Sequence, residues 1–309
     1  MKPVISYYGG KQRMASKIIP LIPKHTVYVE PFCEGATILF GKPWPDATNN
    51  NHYREVINDS DHRLVNFYEQ LRNKGDELVR QIQLTPFSER EYAISLREGL
   101  ECEDKLEAAR RYYVNIQQSF SNKLDGGWAR VLFTRNSSAS WANKIDGLQP
   151  YVDRMSSAYI SCQDALKVIK QWDSPQSFFY CDPPYPETNC GNYKGYTIED
   201  FQNLIDALDS CQGSFLLSCY DVESVTIPHD WERFTFETHC SSSGKGKVGA
   251  DRSRKATSAE LGNRKRTEVV YRRFNRVPVR PEIQKLYDSG KFDCFASPPE
   301  KTLFDEVGA

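Results

Sequence analysis

Apolar and polar positions along the 309-residue chain change period several times, and each change marks an element. Residues 11–22 alternate basic and apolar groups, with Met14, Ile18, Ile19 and Ile22 at helical spacing, which predicts a short amphipathic helix ending at Pro23. Thr26 to Phe32 is β-branched and aromatic and predicts a strand. A turn containing Gly35 follows, then a helical start over 36–40. Glu55 to Asp59 predicts a second short strand that ends on an acid. Helical patterns cover 61–83, 88–98 and 103–118. Ser119 to Trp141 is polar, with Gly126-Gly127 and several serines, and reads as a hairpin or loop region rather than core.

The second half returns to strand–helix alternation. Ser177 to Cys181 reads as a fully buried strand and runs directly into Asp182-Pro183-Pro184-Tyr185. Thr197 to Asp200 has capping-box form, and Phe201, Leu204, Ile205 and Leu208 follow on one helical face, predicting a helix over 198–209. Phe215 to Cys219 and Glu268 to Phe274 predict further strands, and residues 287–309 read as a loosely ordered tail. No internal repeat is visible. Strands alternating with helices imply an α/β fold, a mainly parallel sheet covered on both faces. In such sheets ligands sit beyond the carboxyl ends of the strands. The segment from Glu30 to Gly35, Asp59, and the segment from Asp182 to Tyr185 are therefore expected to line one cleft.

Composition narrows this little. Hydrophobic residues at 39% and charged residues at 26% are ordinary for a globular protein. No apolar run approaches the roughly 20 residues of a membrane span. The start, Met1-Lys2-Pro3-Val4-Ile5-Ser6, has no signal-peptide pattern, and a cytoplasmic location is expected. The nine cysteines form no C-x-x-C pair, which argues against a disulfide framework or a Cys-rich zinc site and fits small buried apolar residues in a reducing compartment. His25, His52, His62, His229 and His239 are dispersed, so no metal is expected. The net charge of −1 hides an asymmetry: Gly244 to Arg280 holds twelve Lys and Arg against three acids, hence +9, and the rest of the chain carries −10. A local basic stretch suits a surface that meets phosphate, although a solvated loop would look the same.

The chemistry concentrates in Asp182-Pro183-Pro184-Tyr185. Two prolines fix two φ angles, and the second keeps the first out of helical geometry, so the chain is held extended beyond its strand. The Asp offers acceptor oxygens, backbone carbonyls are free to point at a ligand, and the Tyr offers a flat face. That set suits a flat heterocycle bearing an exocyclic amino group. Such an amine is a poor nucleophile because its lone pair is delocalised into the ring, and two acceptors that favour a tetrahedral nitrogen would expose the lone pair to an electrophilic methyl. A proline-rich loop after a buried strand is the plainer alternative. Taken singly, Asp59 also reads as a helix N-cap, Lys11 as a solvated charge and Gly9-Gly10 as an ordinary turn.

Four segments in order resemble the Dam-like adenine-specific DNA methyltransferases: Tyr7-Tyr8-Gly9-Gly10-Lys11, Val29-Glu30-Pro31-Phe32-Cys33-Glu34-Gly35-Ala36, Asn58-Asp59, and Phe178 to Tyr185. The resemblance covers roughly residues 4–275. It implies a Rossmann-like methyltransferase sheet with helices on both faces and an inserted, mainly helical target-recognition domain carrying a hairpin. The expected division is residues 1–60 and 159–286 as the two parts of the catalytic domain, 61–158 as the target-recognition domain, and 287–309 as a flexible tail. The implied reaction is transfer of a methyl group from S-adenosylmethionine to the N6 amino group of an adenine flipped out of double-stranded DNA. Methylation of the cytosine amino group, an RNA amine, and a non-catalytic DNA-binding relative are the alternatives.

The resemblance also implies residue roles. Asp182, Pro183, Pro184 and Tyr185 would form the catalytic segment, with Asp182 on the base amine and near the cofactor, and Tyr185 stacked on the base. Tyr7 and Lys11 would meet the cofactor or the base pocket, Glu30, Pro31, Phe32 and Gly35 would wrap the methionine end, Asp59 would take the ribose hydroxyls, and Asp164 would lie near the cofactor adenine. Many members have glycine where this chain has Glu34; if that position needs φ > 0, a Glu there costs about 1 kcal/mol or more, and the remaining Gly35 is expected to let the turn tolerate it.

A target inside a duplex must be extruded, at a cost of about a few kcal/mol that protein contacts offset. Gln118, Ser121, Asn122, Lys123, Arg130, Arg135 and Asn136 are of the types that contact base edges and backbone. Phe120 or Trp128 would fill space in a distorted duplex, or else pack the small domain's own core. Lys245, Lys247, Arg264, Lys265 and Arg266 would cover phosphates. Beyond DNA, a cognate restriction endonuclease is a candidate partner, and either a monomer or a dimer is compatible.

Overall fold

The computed structural model describes residues 2–6, 11–44, 53–98, 102–130, 136–185, 195–222, 224–239 and 265–297. In chain order the elements are α1 (Ala15–Ile18), β1 (Val27–Glu30), α2 (Thr37–Gly41), β2 (Arg54–Asn58), α3 (His62–Asn73), α4 (Gly75–Gln83), α5 (Glu89–Glu98), α6 (Lys105–Gln117), α7 (Ser137–Ile145), α8 (Gln149–Met155), β3 (Tyr159–Ser161), α9 (Ala165–Trp172), β4 (Ser177–Cys181), α10 (Ile198–Ser210), β5 (Ser214–Tyr220), β6 (Glu232–His239), β7 (Lys265–Arg273) and α11 (Pro281–Tyr287). Helix α1 is flanked by 3₁₀ turns at Lys11–Arg13 and Ile19–Leu21.

The seven strands form one sheet in the order β3-β2-β1-β4-β5-β7-β6. The first five run parallel, and β7 is inserted antiparallel between β5 and β6. Strand side chains alternate between two cores, as a period of two requires. Tyr28, Phe178, Tyr180 and Leu216 point into one, while Val27, Val29, Phe179, Cys181 and Leu217 point into the other. A sheet buried on both faces explains why β4 and β5 read as unbroken apolar runs. Helices α9 and α10 cover the second face. The capping box at Thr197 and Asp200 is present as read from the sequence. The order reverses at β1, with β2 on one side and β4 on the other, so the crevice of a doubly wound sheet opens beyond the ends of β1 and β4.

Helices α3 to α8 are inserted between β2 and β3. Their buried residues, including Phe67, Tyr113 and Trp141, belong to the same continuous core as Tyr28 and Phe178 of the sheet. Among the described residues of 119–141, the stretch read as a hairpin or loop, one antiparallel bridge joins Ser119 to Trp128. The stretch also contains the start of α7, where Trp141 is buried and donates from Nε1 to the Thr85 carbonyl at 2.9 Å. The many serines conceal the apolar pair Trp141 and Ile145, one helical turn apart and both buried. The stretch read as a tail is folded through Ala296: Phe292 and Phe295 are buried, and Ala296 pairs with Pro23 beside the start of β1. Short spacing and polar neighbours disguised these two phenylalanines. Among the described residues no helix is long and apolar enough to cross a membrane.

Removing the Phe292 ring is expected to cost about 3–5 kcal/mol, the usual range for a buried aromatic cut to alanine. Denaturant unfolding of Phe292→Ala checks this, and a loss under about 0.5 kcal/mol would show that the segment is not part of the core.

Candidate active site at the carboxyl edge of the sheet

Beyond β4, Asp182 enters a cluster assembled from three distant parts of the chain. Lys11, in the 3₁₀ turn before α1, places Nζ 3.0 Å from Asp182 Oδ1 and 2.8 Å from Glu268 Oε1 of β7. The side-chain exposures are 9% for Lys11, 17% for Asp182 and 5% for Glu268, so the three charges meet largely out of water. The Tyr185 hydroxyl joins them, accepting from Lys11 and lying 2.8 Å from Glu268 Oε1 and 3.1 Å from Asp182 Oδ1. Burial opposes the Lys11 charge, but the two carboxylates outweigh it and hold the ammonium well above the usual lysine range. Burial raises Asp182 above the usual carboxylate range, with Lys11 pulling against it and Glu268 pushing with it. Both contacts of Asp182 fall on Oδ1; its Oδ2 accepts no hydrogen bond among the described residues. Among the described residues that oxygen, at the strand tip, has no donor committed to it.

The turn after β1 lies alongside. Glu30 is buried, and its Oε1 accepts from the Tyr28 hydroxyl and from Leu39 N at 2.7 Å, which caps α2. Burial pushes Glu30 up to about 7. Through these two bonds it fixes the turn between β1 and α2. Asn58 ties three loops: its Nδ2 donates to the carbonyls of Pro31 (2.9 Å) and Gln163 (3.0 Å), and its Oδ1 accepts from Gln163 N. Phe32 meets Tyr196 edge-on at 6.4 Å. The left-handed residues of the turn are Glu34 (φ 43°) and Ala36 (φ 48°), not Gly35, so the strain expected for Glu34 is present at that residue. Two hydrogen bonds hold it there: Glu34 N donates to Asp59 Oδ2 at 3.1 Å, and the Tyr68 hydroxyl donates to the Glu34 carbonyl at 2.8 Å.

Asp59 follows β2 and accepts a backbone N–H on each oxygen, from Glu34 and from Asp61. The Ser60 N–H also acts on this carboxylate, and a carboxylate's roughly four lone-pair sites exceed these backbone donors. Among the described residues no Lys or Arg pairs with it, and burial raises it above the usual carboxylate range. Asp164, after β3, caps α9 by accepting from Lys167 N. Tyr7 lies outside the described residues.

A family model described as D12 class N6 adenine-specific DNA methyltransferase matches residues 7–233. The chain belongs to this family. Among curated proteins it resembles Type II methyltransferase M1.LlaDCHI of Lactococcus lactis subsp. cremoris, at 24% identity over 65% of this chain and 72% of the relative. It also resembles Type II methyltransferase M.MjaIII of Methanocaldococcus jannaschii, at 22% identity over 66% of this chain and 76% of the relative.

Use of S-adenosylmethionine follows from membership of this methyltransferase family, and the donor set fits such a molecule. An N6 adenine methyltransferase must hold a sulfonium cation and a ribose diol. Lys11, Asp182 and Glu268 sum to one negative charge beside the crevice, which favours a cation there. Asp59 carries unshared lone pairs and no cationic partner among the described residues, which suits two hydroxyl donors.

The residues read as contacts to DNA separate into two groups. Gln118 is fully buried, and its amide bonds to the backbone on both sides, accepting from Ser88 N and donating to the Pro86 carbonyl, so it braces a loop and is withdrawn from any groove. Asn122 accepts from Lys144, and Asn136 caps α7 by accepting from Ala139 N. Trp128 stacks on Phe87 at 5.4 Å, within the insertion. Lys123 and Arg130 are exposed, and Phe120 is 62% exposed on the 3₁₀ turn Phe120–Asn122 that also carries Ser121. Lys265 and Arg266 open β7; Arg135, Lys245, Lys247 and Arg264 lie outside the described residues. Sequence reading missed the role of Glu268; an acid leading the apolar run Val269-Val270-Tyr271 in a strand was the available signal.

Replacing Glu34 by glycine removes left-handed strain of about 1–2 kcal/mol but frees the unfolded chain by about 0.4–1 kcal/mol. Glu34→Gly is therefore expected to gain about 0.5–1 kcal/mol in denaturant unfolding; a loss of that size would show that the side chain outweighs its strain.

Proposed function

We propose that Asp182 is the group that takes the N6 amine of an extruded adenine, and that its open Oδ2 is the atom that does so. The observation that carries this is the one-sided use of the carboxylate, with Oδ1 committed to Lys11 and Tyr185 and Oδ2 left at the tip of β4. The cofactor, when bound, supplies an activated methyl group on sulfonium. Oδ2 accepts one amine hydrogen, and a carbonyl of the Pro183-Pro184 segment is the second acceptor. Together they draw the nitrogen lone pair out of conjugation and toward the incoming methyl. On transfer the bond from N6 to the methyl carbon would form as the methyl–sulfur bond breaks, leaving the cofactor as a neutral thioether, and the nitrogen would give up its proton to Asp182, the base already in contact with it. Lys11 keeps Asp182 ionised in spite of its burial.

The hydroxyl of Tyr185 points into the charge cluster and its ring lies 4.3 Å from that of Tyr220, so the pair forms the aromatic wall on which the base rests. Asp59 takes the ribose hydroxyls. Asp164, at the start of α9, borders the adenine end of the cofactor. Phe120 enters the duplex where the target base leaves it, supported by Lys123, Arg130 and the basic stretch after residue 244. The type II designation of both relatives supports a setting beside a restriction endonuclease that reads the same site.

Methyl transfer from labelled cofactor to unmethylated DNA, followed by modification-aware sequencing, tests the reading. N6-methyladenine in one short motif is expected, abolished by Asp182→Ala with the fold intact. Phe120→Ala is expected to slow transfer to paired adenine more than to a mismatched one, which costs less to extrude. Methylated cytosine, or no methylated adenine from wild-type protein that binds cofactor, would contradict it.

A further inference from the structure

Glu268 lies outside the segment matched by the family model, yet it is the most heavily used acceptor of the site. It stands on β7 opposite Tyr220 of β5 and Phe236 of β6. Its neighbours Val269 and Val270 are fully buried, so a carboxylate here is costly unless its partners are supplied. Three are. Lys11 Nζ, the Tyr185 hydroxyl and the Ser218 hydroxyl each lie 2.8 Å from Oε1. Tyr185 has one proton, and the shorter of its two carboxylate contacts is to Glu268 rather than to Asp182. Lys11 is likewise slightly nearer Glu268 than Asp182. Without Glu268, both donors keep Asp182, the other carboxylate that each contacts among the described residues.

We propose that Glu268 is a positioning residue for methyl transfer: by holding the Lys11 ammonium and the Tyr185 hydroxyl, it leaves Asp182 Oδ2 available to the amine of the target base. The proposal rests on the reading of Asp182 given above. Glu268 touches no substrate; it acts through Lys11 and Tyr185. It also keeps the cluster one negative charge in excess, so the proton released at N6 meets a net acceptor rather than a neutral pair. Among the described residues the groups that face Asp182 are Lys11 from the N-terminal turn, Tyr180, Cys181 and Tyr185 of its own segment, and Glu268, with Cys219 of β5 beside the two carboxylates. Of these, Glu268 is the carboxylate whose loss lowers the proton affinity of Asp182.

Single-turnover methyl transfer as a function of pH decides the matter, with cofactor and DNA dissociation constants measured alongside. Glu268→Gln is expected to slow transfer by about 10- to 100-fold, below the roughly 100- to 10,000-fold of a group that transfers the proton itself, with binding constants changed less than about threefold. Its acid limb should move to lower pH, because a neighbouring negative charge has gone. Glu268→Asp keeps the charge but shortens the reach; a slower rate with an unmoved acid limb is expected, and this variant decides alone should the glutamine form fail to fold. Wild-type rates in the variant that folds, or a loss that appears only in cofactor binding with no shift of the limb in Glu268→Gln, would overturn the proposal. Asp182→Asn runs in parallel. If it remains active, the reading of Asp182 fails whatever Glu268 does; if it is inactive while Glu268→Gln is normal, only the role of Glu268 fails.

Discussion

A lysine with almost no access to water lies between two carboxylates, and the candidate active site is built around it. Lys11 comes from the first turn of the chain, Asp182 from the end of β4 and Glu268 from β7. None of the three would be stable there alone, since an unpaired buried charge costs about 3–5 kcal/mol when its partner is removed. The cluster therefore ties the N-terminal turn to the sheet and sets how Asp182 presents itself to the crevice. The antiparallel placement of β7 next to β5 brings Glu268 to this edge.

The remainder of the cleft follows from strand order. Reversal at β1 sets the turn from Pro31 to Ala36 beside the Asp182 segment, and Asn58 and Asp59 hold that turn from the neighbouring strand. Glu30 supports it by capping α2. The inserted helices share the core of the sheet, with Phe67, Tyr113 and Trp141 continuous with Tyr28 and Phe178. They consequently offer Phe120, Lys123 and Arg130 from a base that is packed against the catalytic sheet.

Local signals were legible in the sequence, and long-range pairings were not. Asp182-Pro183-Pro184-Tyr185 carries its meaning in four adjacent residues, and the capping box at Thr197 and Asp200 in four. Glu34 was legible as a residue under strain, though the relief did not come from Gly35; it comes from the bonds to Asp59 and Tyr68. Gln118 has the right chemistry for a base edge, but only its burial shows that both ends of its amide are already used. Glu268 was counted as one acid within a basic stretch, because its partner Lys11 lies at the other end of the chain. Phe292 and Phe295 lacked a period to betray them and were read as tail, although they close the core beneath β1.

In the proposed mechanism, the buried ammonium of Lys11 keeps Asp182 ionised and so able to accept from the amine. Burial raises Asp182, and Lys11 opposes that shift. Removing the cation must then raise Asp182 further, so the carboxylate would ionise only at higher pH. The most direct measurement is the pH dependence of single-turnover methyl transfer by Lys11→Gln. An acid limb displaced to higher pH is expected, with activity partly regained under alkaline conditions. A profile that keeps the wild-type limb, at any reduced height, would contradict it.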